Sequence, residues 1–246
     1  MKRGTEMLKF NTFSITARCE KTGQFGIAIS TKVPAVGSLC TYARAGVGAI
    51  ASQSFVNPYI GINGLKYLEN GLSAGQVLER VLEEDPAPEL RQFSIVDHKG
   101  EAVAYTGDKC DSWNGHLTGK NYAVAGNMLV SEATIKDMEN SFLKNKELIL
   151  AERLLLSLYA GQKAGGDKRG KQSAAIYIVD KEQYPLIDLR VDEHENPVNE
   201  LQRVYKIAQK ELFPFAQMLP TLKNPAGTFD LNASREMGLL QDKNDE

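Results

Sequence analysis

Residues 11–18 read Asn-Thr-Phe-Ser-Ile-Thr-Ala-Arg (NTFSITAR), in which hydroxyl-bearing and apolar side chains alternate. Alternation with a period of two residues is typical of a β-strand. In that strand Thr12, Ser14 and Thr16 share one face. The stretch follows a short leader, residues 1–11 (MKRGTEMLKFN), so Thr12 is predicted to stand at the head of the first strand.

Further along the chain, pairs of strands alternate with pairs of helices. Short turns between consecutive strands predict hairpins and largely antiparallel sheets, and the paired helices need a sheet face to cover. We therefore predict an α+β fold, a four-layer αββα sandwich of two mostly antiparallel sheets. The predicted strands are 12–18, 24–32, 38–44, 48–54, 92–97, 101–105, 122–129, 172–180 and 185–191, and the predicted helices are 58–70, 74–85, 131–143, 148–162 and 198–213.

Composition excludes several classes of protein. The chain has 246 residues, of which 42% are hydrophobic and 24% charged, with a net charge of −2. Such a balance predicts one globular domain, residues 12–213, with a leader before it and an arm or tail, 214–246, after it, and it predicts neither a nucleic-acid nor a membrane partner. Three cysteines without metal-ligand spacing, and a leader without a signal-peptide apolar region, indicate a cytoplasmic protein.

One stretch imitates a nucleotide-binding loop. Residues 165–171 (GGDKRGK) match the start of the P-loop pattern G-x-x-x-x-G-K. However, Gln172 stands where a P-loop needs Ser or Thr, and the predicted order is helix, loop, strand rather than strand, loop, helix. We reject nucleotide binding there and expect no cofactor.

Thr12 is the candidate nucleophile. A threonine hydroxyl is a weak nucleophile unless a base removes its proton, and an N-terminal threonine carries its own base, an α-amine with a pKa of about 7.7–8.0. Lys32, at the end of the next strand, is the candidate that would help to activate it. Asn127, at the end of a later strand, is the candidate hydrogen-bond donor to an oxyanion. The alternative is that Thr12 is an ordinary strand residue and Asn127 an ordinary turn residue.

Other polar residues are candidates for binding a substrate. Arg44 could hold a carboxylate through its planar fork, and Gln53 and Asn57 flank the passage from a strand into a helix N-terminus. Asp167, Arg169 and Gln172 lie in the glycine-rich connection, which could equally be a plain helix cap and turn. The candidate residues for binding a small polar molecule are therefore Arg44, Gln53, Asn57, Asp167, Arg169 and Gln172.

A run of acidic and basic residues near position 190 offers a competing metal site. Asp188, Arg190 and Asp192 alternate on one strand face, with His194 and Glu195 just beyond. Oxygen ligands and an imidazole could hold a metal, but a solvated face with ion pairs explains the pattern better. We predict no metal site.

Several blocks together resemble a known family. TFSITAR, GIAISTKVPAVGS, YARAGVGAIASQSFVNPYIG, YAVAGNML, GGDKRGKQSAA and DLRVDEHENPVNEL occur in order between about Thr12 and Tyr205. They resemble the family called domain of unknown function 1028, assigned to the Ntn-hydrolase superfamily. The resemblance implies the αββα sandwich and, by analogy with that superfamily, an N-terminal Thr12 that attacks amide bonds.

The function predicted from this resemblance is conditional. An Ntn-type amidohydrolase would act on a small amide or peptide-like substrate once cleavage between Asn11 and Thr12 frees the amine; with the leader attached, that mechanism is switched off. The alternative is a non-catalytic protein that binds a small polar metabolite in the same cleft. A third hypothesis is an assembly module that uses the C-terminal arm, and a homo-oligomer is compatible with all three.

Overall fold

The computed structural model describes residues 12–228 and 232. The chain divides after Leu201 into two compact units, which are described separately. The predicted leader, residues 1–11, lies outside the described residues, as does most of the predicted arm beyond residue 228.

Within the described residues, ten strands form two antiparallel sheets. Their bounds are β1 Thr12–Arg18, β2 Phe25–Thr31, β3 Thr41–Arg44, β4 Gly48–Ser54, β5 Arg91–Asp97, β6 Ala102–Thr106, β7 Gly115–Gly119, β8 Tyr122–Gly126, β9 Ser173–Val179 and β10 Ile187–Val191. The first sheet has the order β10-β9-β2-β1-β8-β7, and the second has the order β3-β4-β5-β6. Strand β1 therefore lies at the centre of the larger sheet, between β2 and β8.

Helices follow the strands in pairs along most of the chain. Their bounds are α1 Pro58–Glu69, α2 Ala74–Glu84, α3 Ala133–Lys144, α4 Leu150–Lys163, α5 Pro197–Glu211 and α6 Phe213–Ala216. Helices α1 and α2 pack against the four-stranded sheet, and α3 and α4 pack against the six-stranded sheet. The fold is the predicted four-layer αββα sandwich.

Successive side chains of a strand point to opposite faces of its sheet. In each strand, therefore, every second side chain faces the helices and contributes to the core there. On the second sheet, Ile50 of β4 and Phe93 of β5 pack with Leu65 of α1 and Val77 of α2. On the first sheet, Phe13 of β1 faces α4. Burial of these side chains fixes which face of β1, β4 and β5 turns inward to the other sheet.

The layer between the two sheets is apolar at one end and polar at the other. Phe25 and Ile27 of the first sheet pack with Ala49, Ala51 and Val96 of the second. Towards the head of β1 the facing residues become polar and remain buried. They are Thr12, Ser14, Thr16, Gln53, Gln92 and Ser94.

Two predicted boundaries differ from the structure for local reasons. The strand predicted at 122–129 ends at Gly126, because Met128 takes a left-handed conformation (φ 50°) that turns the chain out of the sheet. The strand predicted at 38–44 begins only at Thr41, because a short 3₁₀ turn, Val36–Ser38, includes its first predicted residue. Strand β7 was not predicted, since its flanking glycines and the polar His116 and Thr118 resemble a loop.

The second unit begins within α5. In it, the rings of Tyr205 and Phe213 meet edge to face with centroids 5.7 Å apart. Beyond α6, Asn224 closes a turn by donating from its amide nitrogen to the Gly227 carbonyl (2.8 Å).

Candidate functional site

Thr12 lies at the head of β1 with a neighbour on each side. Thr31 of β2 is its register partner, and the two hydroxyl oxygens are 3.3 Å apart. On the other side, the backbone N–H of Asn127 donates to the Thr12 carbonyl (2.9 Å). Directly opposite residues of an antiparallel pair share one face, with Cβ atoms about 4.5–5.5 Å apart. The hydroxyl of Thr12 is therefore flanked by Thr31 and Asn127, and the residue is fully buried.

The second sheet contributes two glutamines to the same space. Ser14 donates from Oγ to Oε1 of Gln53 (2.7 Å), which projects from β4. The Nε2 of Gln53 donates to Oε1 of Gln92 on β5 (2.7 Å), and Nδ2 of Asn127 donates to the same oxygen (2.8 Å). Gln92 thus joins the two sheets at the head of β1.

Backbone carbonyls fix the orientation of these amides. Gln92 Nε2 donates to the carbonyls of Gly126 (2.8 Å) and Gly115 (3.2 Å). A carbonyl can only accept, so the nitrogen of Gln92 must face it and the oxygen must point the other way. Gln53 and Asn127 must in turn offer their nitrogens to that oxygen.

In this orientation one buried acceptor atom has no hydrogen-bond donor. The Oδ1 of Asn127 is buried and, within the described residues, has no hydrogen-bond partner. Asn127 was predicted to donate a hydrogen bond to an oxyanion; one proton of its Nδ2 is used by Gln92, and an amide nitrogen carries a second, so that role stays a prediction. The unsatisfied atom of this side chain is an acceptor, Oδ1.

The network continues outward to a histidine. Gln92 Nε2 also donates to the Thr106 hydroxyl (2.9 Å), whose oxygen lies 2.8 Å from Nδ1 of His116. The Thr106 oxygen accepts from Gln92 and can donate its own proton to Nδ1 when that nitrogen is unprotonated, as it is in the neutral ring protonated on Nε2. Partial burial of the imidazole lowers the pKa of His116, which also favours the neutral ring.

A loop formed by residues 165–172, the crossing loop, passes over the strand ends beside Thr12. At one side the N–H of Lys168 donates to the Met128 carbonyl (3.0 Å), and at the other the N–H of Gln172 donates to the Thr31 carbonyl (3.0 Å). These bonds anchor the crossing loop to β8 and β2, the two neighbours of β1. A helix precedes it and a strand follows it, which is the reverse of a P-loop.

Asp167 and Arg169 form an ion pair within the crossing loop. The Asp167 carboxylate is buried and accepts from Arg169 Nη2 (2.7 Å) and from the backbone N–H of Lys32 (3.0 Å). The structure therefore brings these two predicted residues to the end of the sandwich that holds Thr12.

Lys32 does not take the place predicted for it. Its ammonium is exposed and donates to the Lys171 carbonyl (3.2 Å), whereas Thr12 is fully buried. The backbone, rather than the ammonium, of Lys32 belongs to the site. Gln172 behaves similarly, because its exposed amide donates to Glu193 (2.6 Å) while its backbone holds Thr31.

Arg44 and Asn57 lie elsewhere. Arg44 is opposite Gly48 in the β3–β4 register and forms an exposed ion pair with Glu69. Gly48 is five residues from Gln53 along β4, or about 17 Å at 3.3 Å per residue. Asn57 caps α1 and donates to Asp85 on the helix-facing side of the sheet. The structure therefore does not bring either side chain to Thr12: strand register and pleat parity turn Arg44 away, and Asn57 faces Asp85 from the start of α1.

The side chains around Asp188 form ion pairs on an outer strand face, which is the interpretation that the sequence analysis preferred. Arg190 donates to Asp188 from Nε (2.7 Å) and Nη2 (2.9 Å). In the described part of the chain, no group of three or more His, Cys, Asp or Glu side chains is placed to hold a metal ion.

Comparison with known proteins identifies the family. The model of a family of unknown function, DUF1028, matches residues 12–201. This chain belongs to the DUF1028 family. The family match begins at Thr12, the first residue of β1. No curated protein matches the chain.

Solved structures resemble this chain to different degrees. A crystal structure of a DUF1028 protein from Silicibacter pomeroyi is 28% identical, with a TM-score of 0.82 over 89% of this chain and 100% of that chain. An Anbu (ancestral beta-subunit) protein from Yersinia bercovieri is 12% identical, with a TM-score of 0.37 over 85% of this chain and 99% of that chain. An Anbu mutant from Hyphomicrobium sp. strain MC1 is 12% identical, with a TM-score of 0.39 over 81% and 96%. Among the described residues of this DUF1028 chain, no helix is long and apolar enough to cross a bilayer.

Proposed function

We propose that this DUF1028 protein is an Ntn-type amidohydrolase whose nucleophile is Thr12, made active by cleavage between Asn11 and Thr12. The observation that carries the proposal is the position of Thr12. It heads the central strand of the larger sheet, and its hydroxyl lies in a buried polar region between the two sheets of an αββα sandwich. Its substrate would be a small amide or peptide-like molecule.

The polar region is costly to the fold, which supports a functional role. Burying a hydroxyl or amide costs free energy unless hydrogen bonds compensate it, and an apolar core would avoid that cost. The other end of the same layer is apolar, with Phe25, Ile27 and Val96 packed together. The polar residues therefore concentrate at the head of β1 rather than throughout the layer.

The proposed chemistry needs two stages. In the first, Thr12 Oγ1 attacks the Asn11 carbonyl, the peptide C–N bond breaks to give an ester, and water hydrolyses the ester and leaves a free α-amine on Thr12. In the second, that amine accepts the proton of Oγ1 as the oxygen attacks a substrate amide. The amine product leaves, and water cleaves the resulting ester to release the acid and restore the hydroxyl.

Intact mass tests the first stage directly. We expect the wild-type chain to lose residues 1–11 during incubation, Thr12→Ser to do the same, and Thr12→Ala to keep its full mass. Thr16→Ala is the matched control, since Thr16 lies on the same face of β1 and its hydroxyl oxygen is 2.8 Å from that of Ser94 on the facing sheet. Loss of residues 1–11 from Thr12→Ala as well, or from none of the proteins, would count against Thr12 as the nucleophile.

A second candidate is a binding protein that uses the same polar region without catalysis. It is favoured by Lys32, whose ammonium bonds the Lys171 carbonyl instead of supporting a nucleophile. For this candidate, Thr12→Ala would leave the affinity for a small polar ligand within about twofold of wild type, as isothermal titration would show.

A further inference from the structure

We infer that Asn127 Oδ1 is a recognition group for an N–H on the ligand, so that the site selects amides and rejects esters of the same shape. That the ligand is an amide rests on the proposed function; the new element is the atom that recognises it, Asn127 Oδ1. It rests on the polarity of the hydrogen bonds between the sheets rather than on the chemistry of Thr12.

The polarity follows from groups that cannot be reversed. The carbonyls of Gly115 and Gly126 both accept from Gln92 Nε2, which turns Gln92 Oε1 towards the head of β1. That oxygen accepts from Gln53 and from Asn127, so the Asn127 nitrogen faces Gln92 and its oxygen faces away. Turning the Asn127 amide over would set two oxygens against each other.

Asn127 Oδ1 is consequently held in place without a partner. The residue is fully buried, and no hydrogen bond to this oxygen forms within residues 12–228. A buried acceptor that lacks a donor is costly, and native structures rarely retain one without a role. Since Asn127 lies across from Thr12 on the same face, a ligand at the Thr12 hydroxyl would bring its own atoms to this oxygen.

An ester and an amide differ here in one respect. An amide N–H donates to Oδ1, while the alkoxy oxygen of an ester places a second acceptor against it. A site built to pair with a donor rejects the analogue without one, because the buried acceptor is then left unpaired. Discrimination between matched amides and esters is therefore the property to measure.

The test uses two probes of equal size, N-methylacetamide and methyl acetate, titrated into the full-length Thr12→Ala chain. This variant cannot process itself or hydrolyse either probe through Thr12, so the binding result is independent of catalysis. We expect N-methylacetamide to bind at least about tenfold more tightly, with a shift in the side-chain amide signals of Asn127 in ¹H–¹⁵N spectra. In Thr12→Ala/Asn127→Leu the two probes should bind alike.

Equal binding of the two probes to Thr12→Ala, binding of neither, or discrimination that survives Asn127→Leu would overturn the inference. The ratio of the two affinities in Thr12→Ala decides the matter even if the double variant does not fold. Failure of the proposed function would appear separately, as a wild-type chain that neither loses residues 1–11 nor hydrolyses amides.

Discussion

Gln92 is the residue that holds the polar region together. Its side chain makes hydrogen bonds to both sheets, through Gln53, Asn127, Thr106 and two backbone carbonyls. Nothing in the sequence marks it, because a glutamine at the start of a strand reads as an ordinary surface residue. Its partners are up to 39 residues away in the chain, so only tertiary structure reveals the hub.

Replacing Gln92 with leucine should destabilise the fold. The substitution leaves the Gln53 and Asn127 amides without their shared acceptor and the Gly126 carbonyl without this donor, so we expect a loss of about 2–4 kcal/mol in the free energy of unfolding. Urea denaturation measures it. Gln172→Leu is the control, since the side-chain amide of this half-buried residue pairs with Glu193 at the surface, and the change should alter stability by less than about 0.5 kcal/mol. Equal effects of the two substitutions would contradict a central role for Gln92.

His116 should report on the network from the surface. Burial lowers the pKa of its imidazole, and Thr106 donates to Nδ1 only while that nitrogen is unprotonated. Because the folded-state pKa is below the unfolded value of about 6.5, the associated stability is complete above that pH. It decreases as the pH falls from there through the folded-state pKa.

A Thr106→Val variant tests whether the hydrogen bond acts on this pKa in addition to the burial that lowers it. Removing the hydroxyl removes a hydrogen bond to the neutral ring, so the pKa of His116 should rise relative to wild type. Titration of the imidazole carbon-bound protons by NMR measures the change. Thr118→Val is the control. Thr118 is exposed and lies two residues further along β7, so its substitution should leave the pKa of His116 unchanged.

Among the strands and helices, the sequence pattern predicts those bounds that interactions between neighbouring residues determine. Strands β1 and β4 appear at the predicted bounds, 12–18 and 48–54, because alternation and flanking turns specify them. Helix α2 begins after Ser73, as predicted from the range 74–85, and Ser73 and Gln76 cap it reciprocally. Arg44 and Asn57 were misplaced because strand register and the helix-facing side of a sheet depend on contacts that sequence spacing does not encode.

Gly61 shows how closely helix α1 approaches the edge of its sheet. A Cβ at this position would meet the ring of Tyr42 on β3. We expect Gly61→Ala to destabilise the protein by about 1–3 kcal/mol, even though alanine favours helix by about 1 kcal/mol. Gly75→Ala is the matched control in α2, where the added carbon meets Oε1 of Glu101 (2.9 Å), the end of a flexible side chain that can shift at the cost of loosening its hydrogen bond to the Gly75 N–H (3.0 Å), so stability should change little. Thermal unfolding of both variants distinguishes close packing from helix propensity.

At the scale of the whole sandwich, one ion pair ties the outer helices to the sheet they cover. Asp85, after the end of α2, accepts from Nε (2.8 Å) and Nη2 (3.1 Å) of Arg91 on β5 and from the Asn57 amide (2.7 Å). Arg91 also donates to the Phe55 carbonyl (2.7 Å). Side chains of this pair are almost wholly buried, so each charge depends on the other.

Breaking this pair should unfold the molecule more readily than breaking a surface pair. Asp85→Asn leaves the Arg91 guanidinium buried without its counter-charge, so we expect a loss of about 3–5 kcal/mol in the free energy of unfolding. Asp188→Asn, which removes the outer-face partner of Arg190, should cost at most about 1 kcal/mol. Denaturant unfolding of the two variants at neutral pH makes the comparison, and similar losses would mean that the buried pair contributes no more than an exposed one.

Acid provides an independent test of the same pair. Burial alone would raise the pKa of Asp85, but hydrogen bonds from Arg91, Asn57 and the Ala87 N–H outweigh it and lower the pKa. Because the folded-state pKa is below the unfolded value of about 3.9, the stability from this carboxylate is complete above that pH and is lost as the pH falls through the folded-state pKa. Unfolding measured from neutral pH into this acidic range should therefore show a shallower pH dependence for Asp85→Asn than for wild type. An unchanged slope would mean that other carboxylates carry the acid sensitivity and that Asp85 is not what joins the helix layer to the sheet.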